Sequence, residues 1–424
     1  MKFLKEILSK PLFKATSLNG ISILIKICIG FVTSKVIAIF VGPSGMALVG
    51  NLRNFLTSTE AFATLGFENG VVKYVAEHKK EEQKLQQTLS TIFISVLSIS
   101  VALCFILFFF SSYFNAYIFG AAFQYAFVFK ALAIVLPFYI GNIFLIATIN
   151  GLGEYKKVIC INIIGSCIGL LVTVLLIWYL QTEGALLSII VTPSLLFLVS
   201  FLSINKEIKL LKTIHFKFYN LSFLKNLSSY SLMALVSAVF GPMVLLAIRK
   251  NIILNLGIEQ AGFWEAISRI SSYSFLFISS LIGIYFLPKL SVAKDNQETK
   301  SLFREYYKGV LPLFMVIMVV IYLSRDFIIQ ILFTKAFLPV SKLFFWQLIG
   351  DVFKAASVIL GYQFYAKKLT KAFIIFELVS LSILYFSSIY FISIFNIEGV
   401  VMGYAVTYFI YWMLLSIYFR KCLV

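Results

Sequence analysis

Charge and histidine are both scarce in this chain. Of its 424 residues, 13% are charged and 61% are hydrophobic, whereas a soluble domain is about 25% charged and roughly 45–50% apolar. The two histidines, His78 and His215, both lie in polar loops, which argues against a histidine-based zinc site or catalytic triad. The five cysteines are scattered, mostly in apolar runs, so no disulfide framework or metal site is expected.

The sequence also lacks a long polar stretch and any nucleotide-binding motif. Without a polar stretch there is no room for a soluble catalytic domain, and without G-x-x-x-x-G-K-[ST] this chain is not expected to hydrolyse ATP. We therefore expect neither an enzyme nor a bound cofactor. The formal charge of +18 comes largely from short basic loops between apolar runs, so nucleic acid is not an expected partner.

What the chain does contain is a series of apolar runs of about 20 residues, each long enough to cross roughly 30 Å of hydrocarbon. They predict an all-α integral membrane protein with twelve transmembrane helices in two six-helix lobes around a central cavity. The first run is too long for a signal peptide and is expected to be retained. The predicted spans are 16–42, 46–74, 89–112, 123–150, 157–180, 184–204, 227–249, 261–288, 309–332, 341–366, 371–394 and 398–419. Arg325 and Asp326 interrupt the far end of the ninth.

The basic residues predict the orientation of these spans. Of the 36 lysines and arginines, 25 fall in the termini and in alternate loops on one side of the predicted membrane. Positive loops face the cytoplasm, so both termini are predicted there, and an even number of spans agrees with this. The expected location is the inner membrane of a bacterium.

The longest connection divides the chain into similar halves. We predict an N-terminal lobe at 1–204, a linker at 205–226 and a C-terminal lobe at 227–424. The linker is basic and amphipathic, which suits it to the cytoplasmic membrane interface. Two equal halves are typical of a transporter built from two repeats.

Ionisable residues at membrane depth mark the predicted site. Each costs about 2.5–3.5 kcal/mol at a helix centre, so they normally face a bundle interior or an aqueous cavity. The bases are Lys26, Lys35, Arg53, Lys130, Arg269 and Lys354, and the acids are Glu60, Glu68, Glu265, Asp351 and Glu377.

Helical geometry groups the charges of the first lobe. At about 100° per residue, Arg53, Glu60 and two threonines share one sector of the second span, with Glu68 close by. Lys26 lies on the polar side of the first span, and Lys35 on its other face. Neither Lys26 nor Arg53 has an acid one turn away, which favours an anionic ligand, and arginine suits phosphate oxygens particularly well.

The second lobe contributes two further polar stripes. Glu265 and Arg269 are four residues apart in span eight, and Asp351 and Lys354 are three apart in span ten. These spacings also allow simple intrahelical salt bridges, so a purely structural role is the alternative. Two tyrosines, Tyr362 and Tyr365, follow on the face of Asp351 and could contact sugar rings. Glu60, Glu68 and Asp351 have two alternative roles. They could exchange H⁺ or Na⁺ to couple transport to an ion gradient, or they could hold a nearby basic side chain in place.

Several long segments, in matching order along nearly the whole chain, resemble the Wzx flippases of the polysaccharide-transporter branch of the MOP superfamily. The likeness is greatest to members that move the lipid-linked unit of enterobacterial common antigen, and O-antigen translocases are close to these. The segments are "GPSGMALVGNLRNF", "GFENGVVKYVAE", "LMALVSAVFGPMVLLAIRK", "GFWEAISRIS", "YFLPKLS" and "FFWQLIGDVFKAASVILGY".

The resemblance implies a two-lobed transporter that works by alternating access on an undecaprenyl-diphosphate-linked oligosaccharide. The family's motif cations fall on Lys26, Lys35, Arg53, Lys73 and Arg249, and its acid–base cluster in span ten falls on Asp351 and Lys354. Arg269 and Glu60 depart from the family's pattern. Membrane lipid, a glycan polymerase and a chain-length regulator are the partners implied.

Together these observations define the predicted site. The expected diphosphate ligands are Lys26, Lys35, Arg53, Arg249, Arg269 and Lys354; the expected coupling or ion-pair acids are Glu60, Glu68, Glu265 and Asp351; the expected glycan contacts are Tyr362 and Tyr365.

Rival functions predict other features. A multidrug antiporter of the same superfamily, which binds cationic drugs, would be expected to present acids and aromatics rather than these cations. A membrane glycan polymerase or ligase typically needs a large periplasmic loop, and the outer loops here are short. A passive channel does not suit stripes that are irregular and mixed in sign.

Overall fold

The structure, a computed structural model, describes residues 11–205, 213–293 and 295–423. Across these ranges the chain is helical and contains no β-strand. This follows from the membrane environment, where a backbone without water must satisfy its own N–H and C=O groups, which a helix does within one segment.

The described residues of the first half form seven α-helices. They are α1 (Pro11–Phe40), α2 (Gly42–Thr64), α3 (Glu68–His78), α4 (Glu82–Phe109), α5 (Ser111–Ile118), α6 (Ala126–Gly151) and α7 (Tyr155–Asn205). The last is two helices joined at Gln181, whose non-helical φ of 48° and ψ of −117° produce a kink. That kink lies between the predicted spans 157–180 and 184–204.

Ten more α-helices lie in the part of the second half that the structure describes. They are α8 (Leu221–Leu256), α9 (Ile258–Leu281), α10 (Leu287–Val292), α11 (Asn296–Glu305), α12 (Leu311–Leu323), α13 (Arg325–Leu332), α14 (Phe344–Ala366), α15 (Thr370–Phe395), α16 (Ile397–Tyr418) and α17 (Arg420–Leu423). Short π-helical turns, Ile282–Phe286 and Tyr306–Val310, connect α9 to α10 and α11 to α12.

The predicted all-α membrane fold is confirmed. Ten helical segments among the described residues are long and apolar enough to cross a membrane, and one of them is the kinked α7, which covers two predicted spans. The remaining predicted span corresponds to α2, which is a 23-residue helix but carries Arg53 and Glu60. Twelve spans are therefore compatible with the helices observed.

The prediction of one unbroken helix over 46–74 is wrong. Leu65 and Gly66 have φ angles of 49° and 65°, and a new helix, α3, begins at Glu68. Glu68 therefore does not continue the face that carries Arg53 and Glu60. The ninth predicted span also ends early: α12 stops at Leu323, and Arg325 begins the separate helix α13.

The chain forms two compact units, whose boundaries fall inside helices. One comprises Asn51–Val239 with the described residues up to Val36, and the other comprises Ile37–Gly50 with Phe240–Val424. The start of α2 thus groups with the second half, unlike in the predicted lobes, because it packs on α9: a Cβ on Gly262 would overlap the backbone carbonyl of Pro43. Part of the predicted amphipathic linker, residues 206–212, lies outside the described residues.

Candidate functional site

A buried ion network occupies the second unit. Arg249 on α8 donates from Nη2 to Oε2 of Glu265 on α9 at 2.6 Å, and Arg269 donates from Nε to Oε1 at 3.1 Å. Relative exposures of 2%, 7% and 4% place Arg249, Glu265 and Arg269 away from solvent. The guanidinium of Arg249 also lies 5.1 Å from the ring centroid of Trp264.

This network confirms the Glu265/Arg269 pair that the spacing allows, and adds Arg249 to it. Two arginines share one carboxylate, so the network carries a formal charge of +1. Arg249 and Arg269, the two predicted diphosphate ligands in this network, are covered by protein in this conformation. Their binding to a substrate remains a prediction.

A glycine allows α2 to lie against the network. A Cβ on Gly50 would overlap Oε2 of Glu265 and lie 2.8 Å from Nη1 of Arg249. No larger residue fits without displacing the ion pair. Position 50 therefore requires glycine because the ion network lies against it. Sequence periodicity alone does not indicate this requirement.

We expect Gly50→Ala to destabilise the second unit by about 1–3 kcal/mol, the usual cost of overpacking a filled interior. The check is the thermal unfolding midpoint of the purified protein in detergent. Gly241→Ala, in α8, is the matched control because nothing lies within 4 Å of its Cβ position, and alanine favours a helix. Equal midpoints for the two variants would contradict the packing argument.

A second buried group in the same unit centres on Asp351 of α14, which is 0% exposed. Its Oδ1 accepts hydrogen bonds from Ser271 Oγ at 2.6 Å, Tyr404 Oη at 2.9 Å and Gln347 Nε2 at 3.3 Å. Three helices, α9, α14 and α16, therefore converge on one carboxyl oxygen.

Lys354 does not form the ion pair with Asp351 that its spacing allows. No such pair within 4.0 Å occurs in the described part of the chain, and its Nζ instead lies 4.5, 5.8 and 5.4 Å from the ring centroids of Phe275, Tyr404 and Tyr408. Cation–π attraction of this kind partly replaces the lost hydration of an ammonium group.

In the first unit, Glu60 on α2 has a partner that the sequence did not suggest. Tyr139 of α6 donates from its hydroxyl to Glu60 Oε2 at 2.5 Å. Thr64, on the predicted polar face, donates back to the carbonyl of Glu60 at 2.9 Å. Arg53 and Lys35 are half-buried, whereas Lys26 and Glu68 are exposed.

We expect Tyr139→Phe to destabilise the first unit by about 1–3 kcal/mol, because Glu60 would lose its donor in a partly buried place. Thermal unfolding in detergent measures the effect. Tyr113→Phe is the control, since Tyr113 is 63% exposed. A midpoint for Tyr139→Phe that matches wild type would show that another group satisfies Glu60.

The predicted glycan contacts lie near one another on α14. The rings of Tyr362 and Tyr365 are 5.9 Å apart, and Tyr365 also packs at 4.9 Å from Phe373. Both are half-buried, and their contact with sugar remains a prediction.

The chain is similar to known proteins over most of its length. The family model described as "Polysaccharide biosynthesis protein" matches residues 12–293. Two relatives, from Escherichia coli (strain K12) and Shigella flexneri, are named lipid III flippase. Each is 27% identical over 412 residues, covering 95% of this chain and 97% of its own length.

Solved structures show the same fold. An inward-facing multidrug resistance MATE family transporter of the MOP superfamily matches with a TM-score of 0.81 at 12% identity, over 94% of this chain and 97% of that one. A MOP superfamily transporter from Pyrococcus furiosus matches with a TM-score of 0.73 at 14% identity, over 98% and 96%. At these identities the likeness concerns the fold alone.

Proposed function

Because the chain belongs to the polysaccharide biosynthesis protein family, we propose that it is a flippase for an undecaprenyl-diphosphate-linked oligosaccharide. It moves this lipid from the cytoplasmic to the periplasmic leaflet by alternating access. The observation that carries the proposal is the similarity to two lipid III flippases over 95% of this chain and 97% of theirs. The transported unit is lipid III or a related glycan such as an O-antigen unit.

The physical problem for such a transporter is the headgroup. A diphosphate is costly to remove from water without compensating partners, and the tail is compatible with lipid. Basic side chains on apolar helices reduce that cost by charge-assisted hydrogen bonds. Lys26, Lys35, Arg53 and Lys354 are the proposed ligands, and Arg249 and Arg269 would join only if Glu265 released them.

An ion gradient is the proposed energy source, because the chain has no nucleotide-binding motif of the Walker A type. H⁺ and Na⁺ are both possible coupling ions. Glu265 already holds two arginines, so Glu60, Glu68 and Asp351 are the acids proposed for coupling.

The proposed location is the bacterial inner membrane with both termini in the cytoplasm, in accord with the positions of the basic loops. The product would appear in the periplasmic leaflet, where a glycan polymerase and a chain-length regulator are the proposed partners. The chain itself performs no covalent step.

A multidrug antiporter is the second candidate, because solved MATE structures share the fold. The bases of the apolar helices favour an anionic substrate over a cationic drug, which supports the flippase.

The test is a liposome assay with purified protein and a fluorescent undecaprenyl-diphosphate oligosaccharide in both leaflets. Enzymatic or chemical attack on outer-leaflet glycan then measures how fast the inner pool becomes accessible. Faster exposure than in protein-free liposomes is expected. Transport of a cationic dye without any movement of the lipid would overturn the proposal in favour of the antiporter.

A further inference from the structure

Two buried side-chain oxygen atoms, one of Asp351 and one of its neighbour Gln347, have no hydrogen-bond donor within the described ranges. They are Oδ2 of Asp351 and Oε1 of Gln347. Asp351 is 0% exposed and Gln347 is 2% exposed, and they lie one turn apart on α14. Buried polar atoms are nearly always paired, so these two call for a missing hydrogen-bonding partner.

A single proton on Oδ2, donated to Oε1, would supply a partner for both atoms. Gln347 Nε2 already donates to Asp351 Oδ1 at 3.3 Å. If Oδ2 carried a hydrogen atom and donated it to Oε1, the acid and the amide would form a cyclic pair with two hydrogen bonds. A protonated carboxyl group is both donor and acceptor, and an amide is its complement.

The alternatives satisfy the site less well. An ionised Asp351 would be a fully buried charge with one bare oxygen, which costs several kcal/mol unless it is paired. Among the described residues no base lies within ion-pair distance of it, and the Nζ of Lys354 lies over aromatic rings rather than at the carboxylate. A bare metal cation needs more oxygen ligands than the two that lack partners.

The side chains around Asp351 hold its carboxyl group in place by hydrogen bonds, and none of those that contact it is a base that could take up its proton. Ser271 of α9 and Tyr404 of α16 donate to Oδ1, and Tyr408 of α16 lies near Lys354. Of the charged residues of α9, Glu265 and Arg269 are bonded to each other, and Glu259 is exposed in the first turn of the helix. Because the group is sealed, the proton can be loaded or released only in a conformation that hydrates Asp351.

We propose that Asp351 and Gln347 form a one-proton binding site, occupied in this conformation, and that this proton is exchanged during the transport cycle. The second part rests on the proposed function and deepens it: among the acids considered for coupling, it selects Asp351 and selects H⁺ over Na⁺. Gln347 is a positioning residue that accepts the hydrogen bond.

The direct test is infrared difference spectroscopy of the full-length protein in lipid bilayers, compared between acidic and alkaline buffer. A protonated carboxyl group gives a carbonyl band that shifts in heavy water. We expect one such band to be lost in Asp351→Asn, whose neutral amide keeps the shape of the protonated acid. Gln347→Leu should retain the band but move it to higher frequency, because the hydroxyl loses its acceptor.

Gln363→Leu is the matched control, since Gln363 is on the same helix, is 4% exposed and also has a partnerless Oε1. It should leave the band unchanged. Identical spectra for wild type and Asp351→Asn would overturn the proposal. Loss of the band on adding Na⁺ at constant pH would also overturn it, because the site would then take a metal cation.

Transport separates this inference from the flippase itself. In liposomes, a gradient of one pH unit can change the wild-type flipping rate by up to about tenfold, whereas the ratio should be near one in Asp351→Asn. A band without any flipping of the lipid-linked glycan would refute the proposed function but leave the proton site. Flipping with no band at Asp351 would refute the site alone. Flipping with the band but with no response to the pH gradient would refute the exchange of the proton.

Discussion

Replacing Glu265 with glutamine is expected to destabilise the protein by about 3–5 kcal/mol, the cost of breaking a buried ion pair by removing one partner. Arg249 and Arg269 both bond to this carboxylate and are 2% and 4% exposed. Without it, both guanidinium groups would lose the carboxylate that they share. The measurement is thermal or denaturant unfolding of the purified protein in detergent.

Glu259→Gln is the matched control, because Glu259 lies on the same helix, α9, but is exposed. A surface change of this kind normally alters stability by less than about 0.5 kcal/mol. If both variants unfolded alike, Glu265 would not be the centre of the network.

A triple variant distinguishes a structural network from a functional one. Arg249→Met, Glu265→Leu and Arg269→Met together replace the charges with apolar groups, an exchange that is often neutral or stabilising. Stability should therefore recover relative to Glu265→Gln. Recovery of transport as well would show that the arginines serve only the fold. Continued loss of transport in a stable protein would support their prediction as diphosphate ligands.

Replacing Arg53 with alanine is expected to abolish most delivery of lipid-linked glycan to the periplasmic leaflet, with protein levels near those of wild type. Loss of one partner of a desolvated charge pair costs about 2–5 kcal/mol, which corresponds to at least about a thirtyfold lower rate. The check is surface glycan in a deletion strain that carries only this variant, together with the liposome assay.

Two further substitutions sharpen the interpretation of Arg53. Arg53→Lys keeps the charge but loses the planar fork that binds two phosphate oxygens, so intermediate transport is expected. Arg304→Ala removes an exposed arginine of α11 and should leave transport unchanged. Undiminished surface glycan with Arg53→Ala would refute the role of Arg53 as a phosphate ligand.

The helices themselves could be predicted from composition because the membrane makes them obligatory. A long apolar run has no water to satisfy its backbone, so helix is the local solution whatever its neighbours are. Even so, composition does not predict the break at Leu65 and Gly66, because positive φ angles depend on surrounding packing that a 20-residue apolar window does not reveal.

The sequence by itself also determined which residues carry charge within the apolar helices. It determined the Glu265/Arg269 pair as well, because residues four apart lie about one helical turn from each other. Only the tertiary structure decided their other partners. Arg249, Tyr139, Ser271 and Tyr404 come from other helices, and Lys354 faces rings instead of Asp351. Which helices meet depends on close approaches such as that at Gly50. A buried charge takes the partner that packing brings to it, and helical periodicity describes only one helix at a time.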